Sequence, residues 1–246
     1  MDGRKVTIWA GAAALAVASF AQAAKPRASD FAAALANPER PEADRARDSD
    51  RKPAEVMAFA GIRPGLRIAE LAPGGGYFTR LLGQAVGGSG HVFGFGPRPS
   101  PAVEGWAASH ANVSYTVAAG GSIPVTEPVD MVWTTLNYHD FKNAKLGESD
   151  AAIETDKAAF RALKPGGIYL IIDHAAAPGA GASQTSTLHR IEPAFVRREV
   201  ESAGFVLDAQ SDLLRHPADD HLTRVQESGI RGKTDQFIFR FRKPRK

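Results

Sequence analysis

The feature that most constrains the fold of this chain is a regular alternation of strand-like and helix-like segments from about residue 50 onward. Short apolar runs alternate with longer helix-like stretches, several of which end at glycine, as where "LRIAELA" precedes "YFTRLLGQAVG". This alternation is typical of α/β folds with a mostly parallel sheet. "IYLIIDH", residues 168–174, is apolar enough for a strand covered on both faces. We predict one α/β domain over residues 53–246, with strands at 66–72, 91–96, 112–118, 128–137, 168–174, 206–214 and 234–243.

The first segment, residues 1–23, has the layout of a secretory signal peptide. Arg4 and Lys5 give a positive start, an Ala-rich apolar stretch follows, and Ala21-Gln22-Ala23 forms a small-x-small cleavage site. The apolar stretch is shorter than the ~20 residues that a membrane-spanning helix needs. We therefore expect cleavage after Ala23 and a periplasmic or secreted protein, with an uncleaved anchor as the alternative.

Residues 24–52 form a polar, proline-containing segment that we interpret as an N-terminal helical extension. The 246 residues include no cysteine, which excludes disulfides, cysteine zinc sites and thiol catalysis. The net charge of +3 is small, and the basic end "FRFRKPRK" is typical of a solvated tail, so we expect no nucleic-acid partner. The sequence leaves the oligomeric state open.

The stretch "RIAELAPGGGYFTR", residues 67–80, places an acid and a glycine-rich loop between the first strand and its helix. In parallel α/β sheets ligands bind beyond the carboxyl ends of the strands. Glycines let a ligand approach the main chain, and the following helix start offers free N–H groups. Glu70, Gly74, Gly75 and Gly76 are therefore candidate ligand-binding residues, and a simple tight turn is the alternative.

Three segments resemble the motifs of class I S-adenosylmethionine-dependent methyltransferases. "ELAPGGGYFTRLL" is similar to their first motif, "VDMVWTTLNYHDF" to the fourth strand and its loop, and "RALKPGGIYLIIDH" to the later helix, turn and fifth strand. More narrowly, the chain resembles a group of predicted bacterial methyltransferases with export signals. The resemblance implies a Rossmann-like sheet of strand order 3-2-1-4-5-7-6 with strand 7 antiparallel, and S-adenosylmethionine as cofactor.

Carried over residue by residue, the resemblance assigns Glu70 to the methionine amino group and Asn137 to the loop beside the methyl group. It assigns the glycines of residues 74–76 to the cofactor lining. The sequence departs from the family pattern at two places. The first motif glycine is Ala72, and the acid that usually ends strand 2 and holds the ribose is Gly96. Missing ribose bonds of about 1.5–3 kcal/mol each would lower affinity on the order of a hundredfold.

A second group of polar residues follows strands 4 and 5, whose carboxyl ends should be neighbours. Tyr138, His139 and Asp140 come after strand 4, and Asp173 and His174 end strand 5. We predict that one histidine is a general base for an acceptor hydroxyl, that an aspartate orients it, and that Tyr138 shapes the acceptor pocket. Two alternatives stay open: the imidazoles and carboxylates bind a metal, or they only satisfy loop hydrogen bonds.

The sequence as a whole favours an S-adenosylmethionine-dependent methyltransferase with a small-molecule acceptor. The rivals are a binding module that keeps the fold and senses a nucleoside-type ligand, and a metal-dependent hydrolase. Gly96 favours the binding module because the ribose-binding acid is missing there. The export signal favours it as well, because S-adenosylmethionine is made in the cytoplasm. Arg51 and Arg231 are interpreted as surface charges, although the loop 231–235 could also close over a substrate.

Overall fold

In the computed structural model, which describes residues 24–245, a seven-stranded sheet forms the centre of the molecule. The predicted signal peptide lies outside the described residues. The strand order is β3-β2-β1-β4-β7-β9-β8. All neighbours from β3 to β7 are parallel, and β9 runs antiparallel to both β7 and β8. The strands are β1 (Arg67–Leu71), β2 (His91–Gly96), β3 (Val113–Val117), β4 (Val129–Thr135), β7 (Leu163–His174), β8 (Val206–Ser211) and β9 (Gln236–Arg242).

This order confirms the predicted sheet, since β7, β8 and β9 are its fifth, sixth and seventh strands. A small antiparallel hairpin, β5 (Lys145–Leu146) with β6 (Ser149–Asp150), is an addition that the sequence pattern did not predict. The helices are a 3-10 turn (Ala28–Phe31), α1 (Ala32–Leu35), α2 (Glu42–Arg45), α3 (Asp48–Arg51), α4 (Pro53–Ala60), α5 (Tyr77–Val86), α6 (Pro101–Ser109), α7 (Tyr138–Asn143), α8 (Ala151–Ala162) and α9 (Pro193–Ser202). Within residues 24–245, none of these is long and apolar enough to cross a membrane.

The central strands bury side chains on both faces of the sheet. Along β7, Leu170 and Ile172 pack into one core with the α5 helix, whereas Tyr169 and Ile171 pack into a second core with α8 and α9. This alternation follows from the period of two in a β-strand. It also explains why 168–174 reads as a continuous apolar run, since both faces of β7 are covered by helices.

The segment before the sheet is tied to α5 by buried charges. Arg40 Nη2 donates to Asp48 Oδ1 at 2.7 Å, and Arg80 Nη2 lies 2.6 Å from Asp44 Oδ2. The Tyr77 hydroxyl donates to Asp48 Oδ1 at 2.6 Å. Moving this segment away would leave buried charges unpaired, which is energetically costly. These bonds therefore fix the position of residues 40–48. The segment therefore forms a wall over the carboxyl edge of the sheet.

Candidate active site

Two adjacent cavities lie at the carboxyl edge of the sheet, beside the first strand and the fourth. The glycine-loop cavity, about 230 Å³, is lined by Glu70, the loop 71–75 and Asn137. The histidine cavity, about 630 Å³, is lined by residues that include His139, His174 and His189. Asp44, Arg47, Arg51 and Leu136 line both cavities. Two molecules bound in the two cavities would therefore lie next to each other.

The glycine loop gives the first cavity its open main chain. A Cβ built on Gly74 or Gly75 would meet nothing within 4 Å, so both residues expose bare backbone at the cavity. Gly76 has a different role, because it does not line the cavity. It precedes α5 with φ +80°, and a Cβ there would lie 2.9 Å from Arg80 Nη1. Gly76 is therefore needed for the turn and for close packing, whereas the sequence assigned it to the cofactor.

Ala72 holds the position of the first motif glycine, and it adopts the backbone of one, with φ +48°. A left-handed conformation costs a non-glycine residue about 1–2 kcal/mol. The conformation is held in part by the Ala72 N–H, which donates to the Phe95 carbonyl at 2.7 Å. The loop thus places an alanine in a left-handed conformation that glycine adopts more easily.

Glu70 lies at the floor of the glycine-loop cavity and is 3% exposed. Burial raises its pKa to about 7, and the Thr79 hydroxyl, which donates to Oε2 at 2.6 Å, partly opposes that shift. Asn137 is at the other side of the cavity, and its Nδ2 donates to the Ala72 carbonyl at 3.0 Å. Asn137 therefore fixes the loop, while Glu70 offers a carboxyl group that a cationic ligand would ionise.

Arg51 is a wall residue of both cavities rather than the surface charge that the sequence suggested. Its guanidinium stacks over the Tyr77 ring at 4.6 Å, and burial together with the nearby Arg47 lowers its pKa to about 10. Among residues 24–245 no carboxylate forms an ion pair with Arg51. A partly buried guanidinium without an anion is a favourable partner for the carboxylate or phosphate of a ligand.

At the end of β2, where the family pattern has an acid, the Tyr115 hydroxyl occupies the space next to Gly96. A Cβ built on Gly96 would overlap the Tyr115 hydroxyl, which donates to the Arg98 carbonyl at 2.5 Å. The adjoining cavity measures about 40 Å³ and is lined by residues that include Gly120. The residues that line this cavity carry no acidic or basic group. Any ribose bound here would lack the usual carboxylate.

The histidine cavity is organised around the buried His139–Asp173 pair. His139 Nδ1 lies 2.8 Å from Asp173 Oδ1, and the same carboxylate accepts the His139 and His174 backbone N–H groups at 2.7 and 2.8 Å. Burial opposes the charged ring, but the charge and hydrogen bond of Asp173 outweigh it and raise the pKa of His139. The pair confirms that α7 and β7 bring these side chains together, as the strand order requires.

His189 completes this cluster, and no pattern in the sequence pointed to it. It lies 50 positions from His139 and belongs to no recognisable motif, yet its Nδ1 is 3.2 Å from His139 Nε2. Asp140 Oδ1 is 3.4 Å from His139 Nε2 and 3.3 Å from His189 Nδ1. A loop histidine without flanking pattern can be found only once the loop is placed in three dimensions.

His174 lines the same cavity but has different chemistry. Its Nδ1 is 2.8 Å from the Thr234 hydroxyl, and burial lowers its pKa to about 4. The ring is therefore neutral at physiological pH. Its centroid lies 6.0 Å from that of His139, so the two rings share the cavity without direct bonding.

Tyr138 lies away from both cavities, in contrast to the acceptor-pocket position that the sequence predicted. The side chain is fully buried in the core between the sheet, α8 and α9. Its hydroxyl contacts Asp156 Oδ2 and Glu199 Oε2, each at 2.8 Å. Consecutive residues of α7 point about 100° apart, which sends His139 to the cavity and Tyr138 to the core.

Known structures provide an independent comparison for this arrangement. No protein-family model matches the sequence, and no curated protein is significantly similar to it. A solved S-adenosylmethionine-dependent methyltransferase from Aquifex aeolicus is 17% identical with a TM-score of 0.56, covering 80% of this chain and 97% of its own. An arsenic(III) S-adenosylmethionine methyltransferase from Chlamydomonas reinhardtii is 18% identical with a TM-score of 0.56, covering 90% and 74%.

The [4+2]-cyclase SpnF has the same architecture, at 16% identity and a TM-score of 0.59, covering 89% of this chain and 97% of its own. Identities this low establish architecture and leave the reaction open. Together with the strand order and the antiparallel last strand, these likenesses show that the chain has the Rossmann-like fold of class I methyltransferases.

Proposed function

We propose that this protein is an S-adenosylmethionine-dependent methyltransferase that acts on a small-molecule acceptor. The observation that carries the proposal is the pairing of the two cavities at the carboxyl edge of the sheet. The first offers bare main chain, and the second offers a histidine backed by a buried carboxylate. In this fold such an arrangement places a cofactor beside an acceptor.

The glycine-loop cavity fits the methionine part of the cofactor. A free amino acid group carries an ammonium and a carboxylate, and the cavity presents opposite charges to match them. Glu70 faces the cavity from the end of β1, while Arg47 and Arg51 face it from the N-terminal wall. Bare backbone at Gly74 and Gly75 leaves space between these groups. Glu70 would bind the ammonium and Arg51 the carboxylate.

The adenosine part is held less tightly in the proposed complex. Tyr115 fills the place of the ribose-binding acid, and the cavity beside Gly96 is small and uncharged. Apolar contact with residues such as Leu71 and Phe95 is the interaction available there. We therefore expect weaker binding than in enzymes that carry the acid, by on the order of a hundredfold.

The acceptor chemistry is assigned to His139. Bound S-adenosylmethionine supplies an electrophilic methyl group, so the protein has only to align the acceptor and remove its proton. His139 Nε2 takes the proton from an acceptor hydroxyl, and Asp173 stabilises the imidazolium that forms. Asp173 raises the pKa of His139 despite burial of the ring, which makes the imidazole a stronger base. Asp140 and the neutral His174 line the space around the acceptor.

Calorimetry with S-adenosylmethionine and S-adenosylhomocysteine on the purified protein tests the proposal. We expect both to bind, with a Kd for the product below about 100 μM. Arg51→Met should weaken binding at least about tenfold, whereas Arg197→Met, the same change on an exposed residue of α9, should not. Absence of heat and of any thermal shift with both compounds would refute the proposal.

A second candidate function, a binding module for a nucleoside-type ligand, is favoured by the blocked position at Gly96. It predicts binding of adenosine compounds without turnover. A screen of small hydroxyl compounds for S-adenosylhomocysteine release separates the two. Release that disappears in His139→Gln supports transfer, and binding without release from any acceptor supports the module.

We also propose that the protein acts outside the cytoplasm, because residues 1–23 have the layout of a signal peptide. Intact mass measured on protein from separated cell fractions tests this. A mature chain that begins at Ala24 in the periplasm or medium is the expected result. A full-length chain in the cytoplasmic fraction alone would contradict it.

A further inference from the structure

Three side-chain atoms meet at one corner of the histidine cavity with almost equal separations. His139 Nε2 and His189 Nδ1 are 3.2 Å apart, and Asp140 Oδ1 is 3.4 and 3.3 Å from them. All three belong to residue types that bind transition metals. Ligands at about 2.05 Å from a tetrahedral ion lie about 3.3 Å from one another. The triangle therefore has the dimensions of a metal-ligand set before any ion is added.

The residues behind the triangle hold one ligand in the orientation that a metal requires. His139 Nδ1 is bonded to the fully buried Asp173, so Nε2 is left to face the cavity. A carboxylate behind a histidine fixes the tautomer and makes the imidazole a better ligand. Asp173 is itself fixed by two backbone N–H groups, from His139 and His174. His139 is therefore held in a ligand orientation by groups that are already in place.

His189 provides an independent observation. It has φ +55°, an uncommon conformation for a residue other than glycine. Backbone strain of this kind is found where a side chain must be held in place for function. Here it directs Nδ1 towards His139 and Asp140. The far side of the ring faces Arg224, whose Nη2 is 3.3 Å from Nε2 and whose exposed side chain is free to turn away when Nε2 carries a proton.

We infer that His139 Nε2, His189 Nδ1 and Asp140 Oδ1 bind one divalent transition-metal ion, with Zn²⁺ the ion that the separations match best. Two imidazoles and one carboxylate leave the remaining position open to the cavity of about 630 Å³. A catalytic zinc site has this composition of three protein ligands and one exchangeable position. The metal alternative from the sequence is thereby revised: His189 replaces His174 as ligand, and Asp173 supports a ligand instead of binding.

The metal site deepens the proposed function. Only its role in methyl transfer rests on that proposed function. With an ion on Nε2, His139 no longer takes a proton directly. The ion would bind the acceptor oxygen and lower its pKa, so that the hydroxyl proton is released to solvent. The oxygen would then bond to the methyl carbon as the methyl–sulfur bond breaks and S-adenosylhomocysteine leaves. The site then selects acceptors with an oxygen or another donor atom that can coordinate a metal. Metal binding itself requires no S-adenosylmethionine.

Metal binding is tested with tag-free, chelator-treated protein titrated with ZnCl₂ alone by calorimetry, with elemental analysis of protein as purified. We expect one Zn²⁺ for each chain, and visible bands of a tetrahedral complex when Co²⁺ is added. His189→Gln and Asp140→Asn should weaken Zn²⁺ binding about 100-fold or more. The control His216→Gln changes a histidine that lines neither cavity and should bind as the parent protein does.

Circular dichroism and thermal unfolding of each variant show whether a loss of binding reflects loss of fold. His189 is partly exposed, so His189→Gln should stay folded and keep the test decisive. Absence of stoichiometric Zn²⁺, or equal affinity in His189→Gln and the parent, would overturn the inference and leave a hydrogen-bonded cluster. S-adenosylmethionine is also titrated into metal-free protein, and this result is scored separately from the zinc titration. If the cofactor binds but the protein takes up no zinc, only the metal site is refuted; if zinc binds but the cofactor does not, only the proposed transferase is refuted.

Discussion

Replacing Glu70 with Gln should make the protein more stable at pH 8 while weakening its binding of S-adenosylmethionine. Burial raises the pKa of Glu70 from its ordinary value of 4.5 to about 7. Between these values the folded chain holds a proton that the unfolded chain has released. The free energy of unfolding therefore falls as pH rises from 4.5 to 7, and the lost stability is not regained above pH 7.

The magnitude follows from the same two values. At about 1.4 kcal/mol for each pH unit, the interval between 4.5 and about 7 corresponds to about 3 kcal/mol. Gln is uncharged at every pH, and its carbonyl can still accept the hydrogen bond from Thr79. Glu70→Gln should therefore be about 3 kcal/mol more stable than the parent at pH 8, and about equal to it at pH 4.5.

Urea unfolding at pH 4.5, 6 and 8 measures this difference directly. Glu55→Gln, the same change on an exposed residue of α4, controls for the general effect of removing a carboxylate. In the parent protein, a ligand ammonium beside Glu70 should drive its proton off. Calorimetry at pH 6.5 in buffers of different ionisation enthalpy should then show proton release on binding. The variant should show none, with affinity reduced about 10- to 100-fold.

Two outcomes would refute this reasoning. If Glu70→Gln is less stable than the parent at pH 8, the carboxylate is ionised and stabilised in the folded chain. If the pH dependence of stability is the same in both proteins, Glu70 does not titrate in this interval. Unchanged affinity of Glu70→Gln for S-adenosylmethionine would show that Glu70 does not contribute to cofactor binding. The prediction about stability would be unaffected.

Three further substitutions test other parts of the site. Gly96→Asp should cost about 1–3 kcal/mol because its Cβ overlaps the Tyr115 hydroxyl; most of that cost should vanish in a Tyr115→Phe background, where the double variant should bind S-adenosylmethionine at least about tenfold more tightly. Urea unfolding and calorimetry check both effects, and equal costs in the two backgrounds would contradict the steric explanation. Asp173→Asn should cost about 3–5 kcal/mol at pH 7 by leaving His139 without its carboxylate. Burial opposes ionisation of Asp173, but His139 outweighs it and lowers the pKa of Asp173 below its ordinary value of 3.8, so its contribution is present above that value and is lost as pH falls through the folded-state value. The gap between parent and variant should therefore narrow at pH 3, and a constant gap would argue against an ionised pair. Tyr138→Phe should lower stability by about 1–2 kcal/mol through its lost hydrogen bonds and leave zinc and S-adenosylmethionine affinities unchanged, whereas a change in either affinity would return Tyr138 to the site.

The parts of the site that follow strand ends were accessible from the sequence. Glu70 at the end of β1 and the pair His139 and Asp173 at β4 and β7 lie where a parallel sheet brings neighbouring carboxyl ends together. The strand order then fixes which polar groups meet. Tyr138 shows the limit of that reasoning, because adjacent residues on a short helix face different compartments.

The sequence by itself determined the elements and their order, because hydrophobic periodicity, glycine stops and strand-end positions are local properties of the chain. Only the tertiary structure decided which distant groups share a space. It placed His189 against His139, Arg51 over Tyr77 in the wall of both cavities, and the Tyr115 hydroxyl where the side chain of residue 96 would begin. These contacts join segments far apart in the chain, and they depend on loop paths and side-chain volumes. Loop paths and side-chain volumes do not appear as a repeating pattern in the sequence. The contacts of His189, Arg51 and Tyr115 could therefore be identified only from the three-dimensional structure.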